Sequence, residues 1–277
     1  MFNDCHIHIV PYELLKKMNE KFAKAIISNM DLSKSPENLI KCLDDSNIEC
    51  VAIMSYPSPH TNGLGMEAVY SVIDYCREHR DRLYPFGSIY PHMDRKDAIE
   101  HLEKQYDLGI AGIKLHPVHQ YFYPNDYSLE SLTASYEFAV DHELPILFHT
   151  GTSILPGARV KYGNPINLDD VALDFPELRI IMSHGGRPIW MREAFFILRR
   201  HGNVWFDISG IPPKKLMTEY FPRFELVAEK SIYGSDFPSP GVKGIKENLE
   251  LFLSLDLDNS MKKKIAYHNF RKLYRGV

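Results

Sequence analysis

Cysteine is scarce in this 277-residue chain: there are four, Cys5, Cys42, Cys50 and Cys76, and no two form a C-x-x-C pair. So sparse a set excludes a disulfide framework and reads as buried free thiols, which fits a reducing cytoplasm. There is no surplus of positive charge either, since 32 Lys and Arg stand against 36 Asp and Glu for a formal net charge of -4. That balance argues against a broad footprint for nucleic acid or an anionic membrane surface, and makes a small molecule the expected partner. No apolar run reaches membrane-spanning length. Met1-Phe2-Asn3-Asp4 leads straight into a polar, histidine-bearing segment, without the apolar core of a signal peptide. A P-loop and a G-x-S-x-G are both missing, and Gly63-x-Gly65 lacks the third glycine of a dinucleotide fingerprint.

What is present is an ordinary folding composition, 44% hydrophobic and 25% charged, enough to bury a sizeable core. Short apolar, β-branched runs alternate with longer amphipathic segments from end to end, the pattern of βαβ units. Eight strands are predicted: 2–9, 50–56, 84–90, 110–116, 145–150, 179–184, 203–209 and 231–236. Eight parallel strands with helical connections close a barrel, so the fold expected is α/β, a single (β/α)8 TIM barrel over residues 1–277. Ser35-Pro36-Glu37 marks a helix start, with serine as N-cap and proline in the first turn. The connection from Val10 to Glu49 is long enough for an inserted helical segment, about Tyr12–Met30 and Pro36–Asp45, which is either a lid or an outer packing layer. Residues 260–274 are expected to form a closing helix across the barrel.

The chemistry rests on where a few of the 13 histidines fall. His6 and His8 alternate along strand 1 and project to one side, while Cys5, Ile7 and Ile9 are expected to face the helices. Lys114 and His116 share a face at the end of strand 4; His149 ends strand 5, His184 strand 6 and Asp236 strand 8. A single histidine after an apolar run is usually a satisfied rim residue. Five strands delivering His, Lys or Asp to one rim of a barrel, with apolar interiors, form a candidate active site. Imidazole and carboxylate donors suit a divalent ion, zinc first, and such a centre can lower the pKa of water to about 7.

Taken in order, Asp4-x-His6-x-His8, Gly112-Ile-Lys114-Leu-His116-Pro117, Phe148-His149-Thr150-Gly151, Ser183-His184-Gly185-Gly186, Gly234-Ser235-Asp236-Phe237-Pro238 and Asn269-x-x-x-Leu273-Tyr274 resemble the amidohydrolase superfamily over almost the whole chain. Within it they resemble the amidohydrolase-2 branch, which includes aminocarboxymuconate-semialdehyde decarboxylase. The resemblance implies that His6, His8 and His149 bind metal and that Asp236 both touches the ion and handles the proton of its water. It implies that His184 is an acid/base, or a ligand to a second ion if Lys114 is a carboxylated bridge; one ion is the expectation. It also makes a homodimer the expected assembly.

The expected activity is hydrolysis of a small, carboxylated amide, lactone or ester by a metal-bound hydroxide, with Asp236, His184 and Lys114 catalytic. The alternative on the same site is non-oxidative decarboxylation of an unsaturated or aromatic acid. Arg187, His116 and Arg159 are the expected substrate contacts, because rim cations fit an acid. Tyr121, Phe122, Tyr123 and Trp190 are candidates for an apolar pocket wall.

Overall fold

The eight expected strands all form, and they pair in parallel in chain order from β1 to β8. They are β1 (Phe2–His8), β2 (Ile48–Met54), β3 (Leu83–Gly87), β4 (Gly112–Leu115), β5 (Ile146–His149), β6 (Ile180–Ser183), β7 (Val204–Asp207) and β8 (Ser231–Ile232). A computed structural model describes residues 1–18 and 30–274, and it shows a (β/α)8 barrel with helices between successive strands. No helix among these residues is long and apolar enough to cross a membrane.

Closure of the barrel differs from the expected strand over 231–236. Regular pairing stops at Ile232, and the seam with β1 is made by single bonds: Cys5 N–H to the Tyr233 carbonyl at 2.9 Å, Asp236 N–H to His6 at 2.8 Å and His8 N–H to Phe237 at 2.7 Å. The departure has a local cause. Asp236 has φ of 61°, a left-handed conformation that no regular strand accommodates.

Alternation along the strands sorts the core into two layers. Ile7, Ile53, Ile113, Leu115, Phe148 and Met182 pack outward under the helices. Ala52, Phe86, Leu147, Ile181 and Trp205 fill the barrel interior. Cys5 belongs to this inner set, a correction to its expected place beside Ile7. The strand pairing of β1 shifts register between Asp4 and Ile7, and such a bulge lets neighbouring residues share one face.

The closing segment 260–274 is helical but broken, with Asn259–Lys263 and Asn269–Leu273 joined by a wider turn at Lys264–His268. Phe270, Leu273 and Tyr274 plug the end of the barrel where the strands begin; the Phe270 ring lies 5.9 Å from Tyr84 and Tyr274 lies 5.6 Å from Phe86. Asn269 holds the plug in register by donating from Nδ2 to the Ser231 carbonyl at 2.7 Å.

The insertion after β1 contains helices Tyr12–Leu15, Met30–Lys34 and Pro36–Asp45. The expected helix through Tyr12–Met30 lies for the most part outside the described residues. At Pro36 the anticipated cap is in place, with the Ser35 hydroxyl accepting from Asn38 N–H at 3.4 Å. That helix packs Leu39 and Leu43 into the outer layer, whereas Leu14 and Met18 reach the barrel mouth.

Candidate metal centre and active-site cavity

At the end of the barrel where the strands finish lies an open cavity of about 230 Å³. Its floor carries His8, His116, His149, His184 and Asp236, and one side is apolar, with Leu14, Leu64 and Met54.

His6 sits beneath this floor, wholly buried on β1. Its Nδ1–H donates to Asp207 Oδ2 at the end of β7 at 2.6 Å. Burial is the main reason its pKa falls to about 3, with the Lys114 charge adding to it and Asp207 opposing. The ring is therefore neutral, with its one proton on Nδ1, and Nε2 presents a lone pair. A carboxylate behind an imidazole in this way fixes both tautomer and orientation for a metal. Ser209 reinforces the arrangement by donating from its hydroxyl to Asp207 Oδ2 at 2.8 Å.

His184 is oriented by the same device. Its Nδ1–H donates to the Ser209 carbonyl at 2.8 Å, so Nε2 is again the free acceptor. Burial depresses its pKa, against the pull of Asp236 and Asp207. For Asp236, burial would raise the pKa, but His184, His8 and His6 outweigh it and keep the carboxylate ionised.

These groups converge. His6 Nε2 and His8 Nε2 are 3.1 Å apart, and Asp236 Oδ1 lies 3.6 Å from the first and 3.4 Å from the second. One donor atom each from His6, His184 and Asp236 falls within 4.8 Å of the others. His149 stands next to His184, ring centroids 4.8 Å apart, and its buried Nε2 has no hydrogen-bond partner among the described residues. Lone pairs and a carboxylate facing one another with an orphaned imidazole nitrogen beside them are a donor set that a divalent cation satisfies. The residues present therefore fit the expected metal.

His184 and Asp236 both have left-handed backbones, φ 65° and 61°. Such conformations cost about 1–3 kcal/mol each for a residue other than glycine and concentrate at functional sites. Gly210 supplies the room: a Cβ there would sit 2.7 Å from His184 Nδ1 and 2.8 Å from Asp236 Oδ2.

Of the expected site residues, the structure brings His8, His149, His184 and Asp236 together at this floor, with His6 directly beneath them. Lys114 is wholly buried, its Nζ has no hydrogen-bond partner among the described residues, and burial lowers its pKa to about 8 against the pull of Asp207 and Asp236. His116 lines the cavity, its ring stacked on His149 at 3.9 Å. Arg187 also lines it, with a buried Nε that lacks a partner among the described residues. Arg159 does not: its guanidinium lies 4.9 Å from the Tyr121 ring, away from the cavity wall. Tyr121, Phe122, Tyr123 and Trp190 are likewise absent from the wall, and Phe122 is part of the outer core.

Several residues of the site were not foreseen. Asp207 had a visible signal, since Trp205 and Asp207 alternate inward at the end of strand 7 as His149 does on strand 5. His119, three residues after His116 on one helical turn, stacks on it at 3.7 Å. Nothing local marked Tyr56, Ser153 or Ser209.

The fold and this cluster of imidazoles and carboxylates define a barrel enzyme of the amidohydrolase class. A model of the amidohydrolase family matches residues 4–276, and the chain belongs to that family. Among solved structures it is similar to an uncharacterised TIM-barrel protein from Bordetella bronchiseptica, at 22% identity, TM-score 0.77 and 98% coverage of each chain. It is also similar to a 5-carboxyvanillate decarboxylase from Novosphingobium aromaticivorans complexed with manganese and 4-hydroxy-3-methoxy-5-nitrobenzoic acid (16% identity, TM-score 0.70, 99% of this chain and 95% of that one). A third is a probable 2-pyrone-4,6-dicarboxylic acid hydrolase from Acinetobacter baumannii with citric acid bound (15% identity, TM-score 0.69, 98% of each chain). No curated protein matches the sequence.

Proposed function

We propose that this chain is a divalent-metal-dependent hydrolase of small carboxylated compounds, cleaving an amide, lactone or ester. The observation that carries the reading is geometric: His184 donates its Nδ1–H to the Ser209 carbonyl, so that Nε2 is left as the acceptor, close to the Asp236 carboxylate. Both are proton acceptors, as the activation of water requires. Protonation of a carbon that is losing CO2 would need a donor in that place.

His6, His8, His149 and Asp236 would hold the ion, which when bound supplies a Lewis acid that polarises a substrate oxygen. The imidazole-rich donors favour zinc; manganese, which the carboxyvanillate decarboxylase structure contains, is the alternative. In the reaction, His184 Nε2 takes a proton as the water oxygen attacks the carbonyl carbon, and the same imidazolium returns it to the leaving nitrogen or oxygen. Asp236 balances the charge that forms on the ring. Arg187, the one arginine or lysine among the described residues that line the cavity, anchors the substrate carboxylate.

Decarboxylation is the second reading, favoured by the structural likeness to a decarboxylase of an aromatic acid. A panel of lactones, amides and unsaturated or aromatic acids, assayed in parallel for acid or amine release and for CO2, separates the two. Turnover with CO2 evolution and no hydrolysis would overturn the hydrolase reading.

A further inference from the structure

Beside the metal centre the cavity has a second polar wall, built from three separate segments. Tyr56 follows β2, His119 lies in the helical turn Pro117–Gln120 after β4, and Ser153 lies in the loop after β5. All three line the cavity. They are joined in one line, the Tyr56 hydroxyl to His119 Nδ1 at 2.9 Å and His119 Nε2 to the Ser153 hydroxyl at 2.8 Å.

The direction of proton donation along this line follows from counting protons. His119 is buried and neutral, so its ring carries one proton and accepts at the other nitrogen. The Tyr56 hydroxyl makes no other hydrogen bond among the described residues, and His119 Nδ1 is the one acceptor there that its proton meets. Tyr56 therefore donates to Nδ1, and His119 donates from Nε2 to Ser153. Leu155 N–H donates to the same Ser153 oxygen at 3.2 Å. With both acceptor positions of that hydroxyl filled, its own proton is left for something in the cavity. The Thr152 N–H bond to the Arg187 carbonyl, 3.0 Å long, holds the Ser153 loop against the segment that carries the arginine.

We propose that Ser153 is a specificity-determining residue whose hydroxyl donates to one oxygen of a substrate carboxylate, the charge of which Arg187 meets. Tyr56 and His119 are positioning residues that keep the hydroxyl donating. The inference rests on the carboxylate reading of the proposed function and sharpens it: the site selects an acid over its primary amide. A carboxylate accepts at both oxygens, whereas an amide sets an NH2 against one of two donors.

The test is calorimetric titration of the full-length, zinc-loaded protein with benzoate and 2-furoate and with their primary amides. Wild-type protein is expected to bind at least one acid more tightly than its amide. Ser153→Ala should weaken that acid roughly tenfold or more, the scale of one hydrogen bond to a charged group, and leave the amide within about twofold. Ser153→Thr should restore acid binding, because it keeps the hydroxyl. Tyr56→Phe should weaken the acid in the wild-type background and have no further effect in Ser153→Ala, since it acts only through the relay. Equal binding of acids and amides by wild type, or a Tyr56→Phe effect that persists in Ser153→Ala, overturns the relay. Unaltered acid binding by a Ser153→Ala protein with wild-type melting temperature does so too. Arg187→Met separates this inference from its parent. If only Arg187→Met loses the acid, the carboxylate reading stands and the Ser153 role falls. If only Ser153→Ala does, the Arg187 anchor falls and the Ser153 donor stands.

Discussion

Asp207 on β7 accepts the Nδ1 proton of His6 on β1 at 2.6 Å, both side chains wholly out of solvent. Through this one bond the strand that supplies two candidate ligands is oriented by a strand two places away around the barrel. Asp207→Asn keeps the shape but replaces a carboxylate with a neutral amide, and weakens the hold on the Nδ1 proton. Zinc affinity measured by competition with a chromophoric chelator should fall about 10- to 100-fold, the usual effect of losing such a partner. An unchanged affinity would show that His6 is not a ligand.

Metal content tests the nuclearity of the centre. With His6, His8, His149 and Asp236 as the donor set, purified protein reconstituted with zinc should hold one ion per chain, and His6→Ala plus His8→Ala should hold none. Lys114→Met removes the buried amine and nearly preserves volume, so the stoichiometry should stay at one, with or without bicarbonate. Two ions in wild type that fall to one in Lys114→Met would instead make Lys114 a bridge.

Gly210 leaves no space for a side chain between His184 and Asp236. Gly210→Ala must displace one of them and also strain a backbone at φ 65°. Activity is expected to drop at least about tenfold, with a destabilisation of about 1–3 kcal/mol in chemical denaturation. Wild-type turnover in this variant would mean that the His184–Asp236 geometry does not matter to the rate.

Acid should destabilise the metal-free protein. Burial holds His6 and His119 down to about 3, whereas in the unfolded chain each takes up a proton near 6.5. Between these values the unfolded state binds more protons, so the stability present above pH 6.5 is lost as pH falls towards 3. Asp4 works the other way, since burial raises it from 3.8 to about 7 and its contribution is lost as pH rises through that value. His116, His149 and His184 are shifted in the same direction as His6, so the histidines prevail. Thermal melts in chelator should show a lower Tm at pH 5 than at pH 7; a flat or rising trend on acidification contradicts the neutral-histidine assignment.

The aromatic plug gives a test of the fold apart from the site. Phe270 is 1% exposed in the barrel interior, and Phe270→Ala should cost about 3–5 kcal/mol in urea denaturation while leaving zinc stoichiometry unchanged. A loss below about 1 kcal/mol would mean that the closing segment does not pack as a plug.

Local periodicity accounts for what could be read without a structure. Alternation along a strand is a property of the backbone, so eight apolar runs, with His6, His8, Lys114, His149, His184 and Asp236 at or near their ends, were enough for the barrel and for most of its floor. Tertiary structure decided the rest, because the remaining relations are between segments far apart in sequence. The bulge that turns Cys5 inward arises in the pairing of β1 with β2. Asp236 holds its left-handed backbone through a bond to His6, 230 residues away. Loop cations carry no period that reveals where they face, and only packing distinguishes Arg187 in the cavity wall from Arg159 against Tyr121. The line from Tyr56 through His119 to Ser153 joins three loops after three strands, and it exists only because the closed barrel brings those strand ends to one rim.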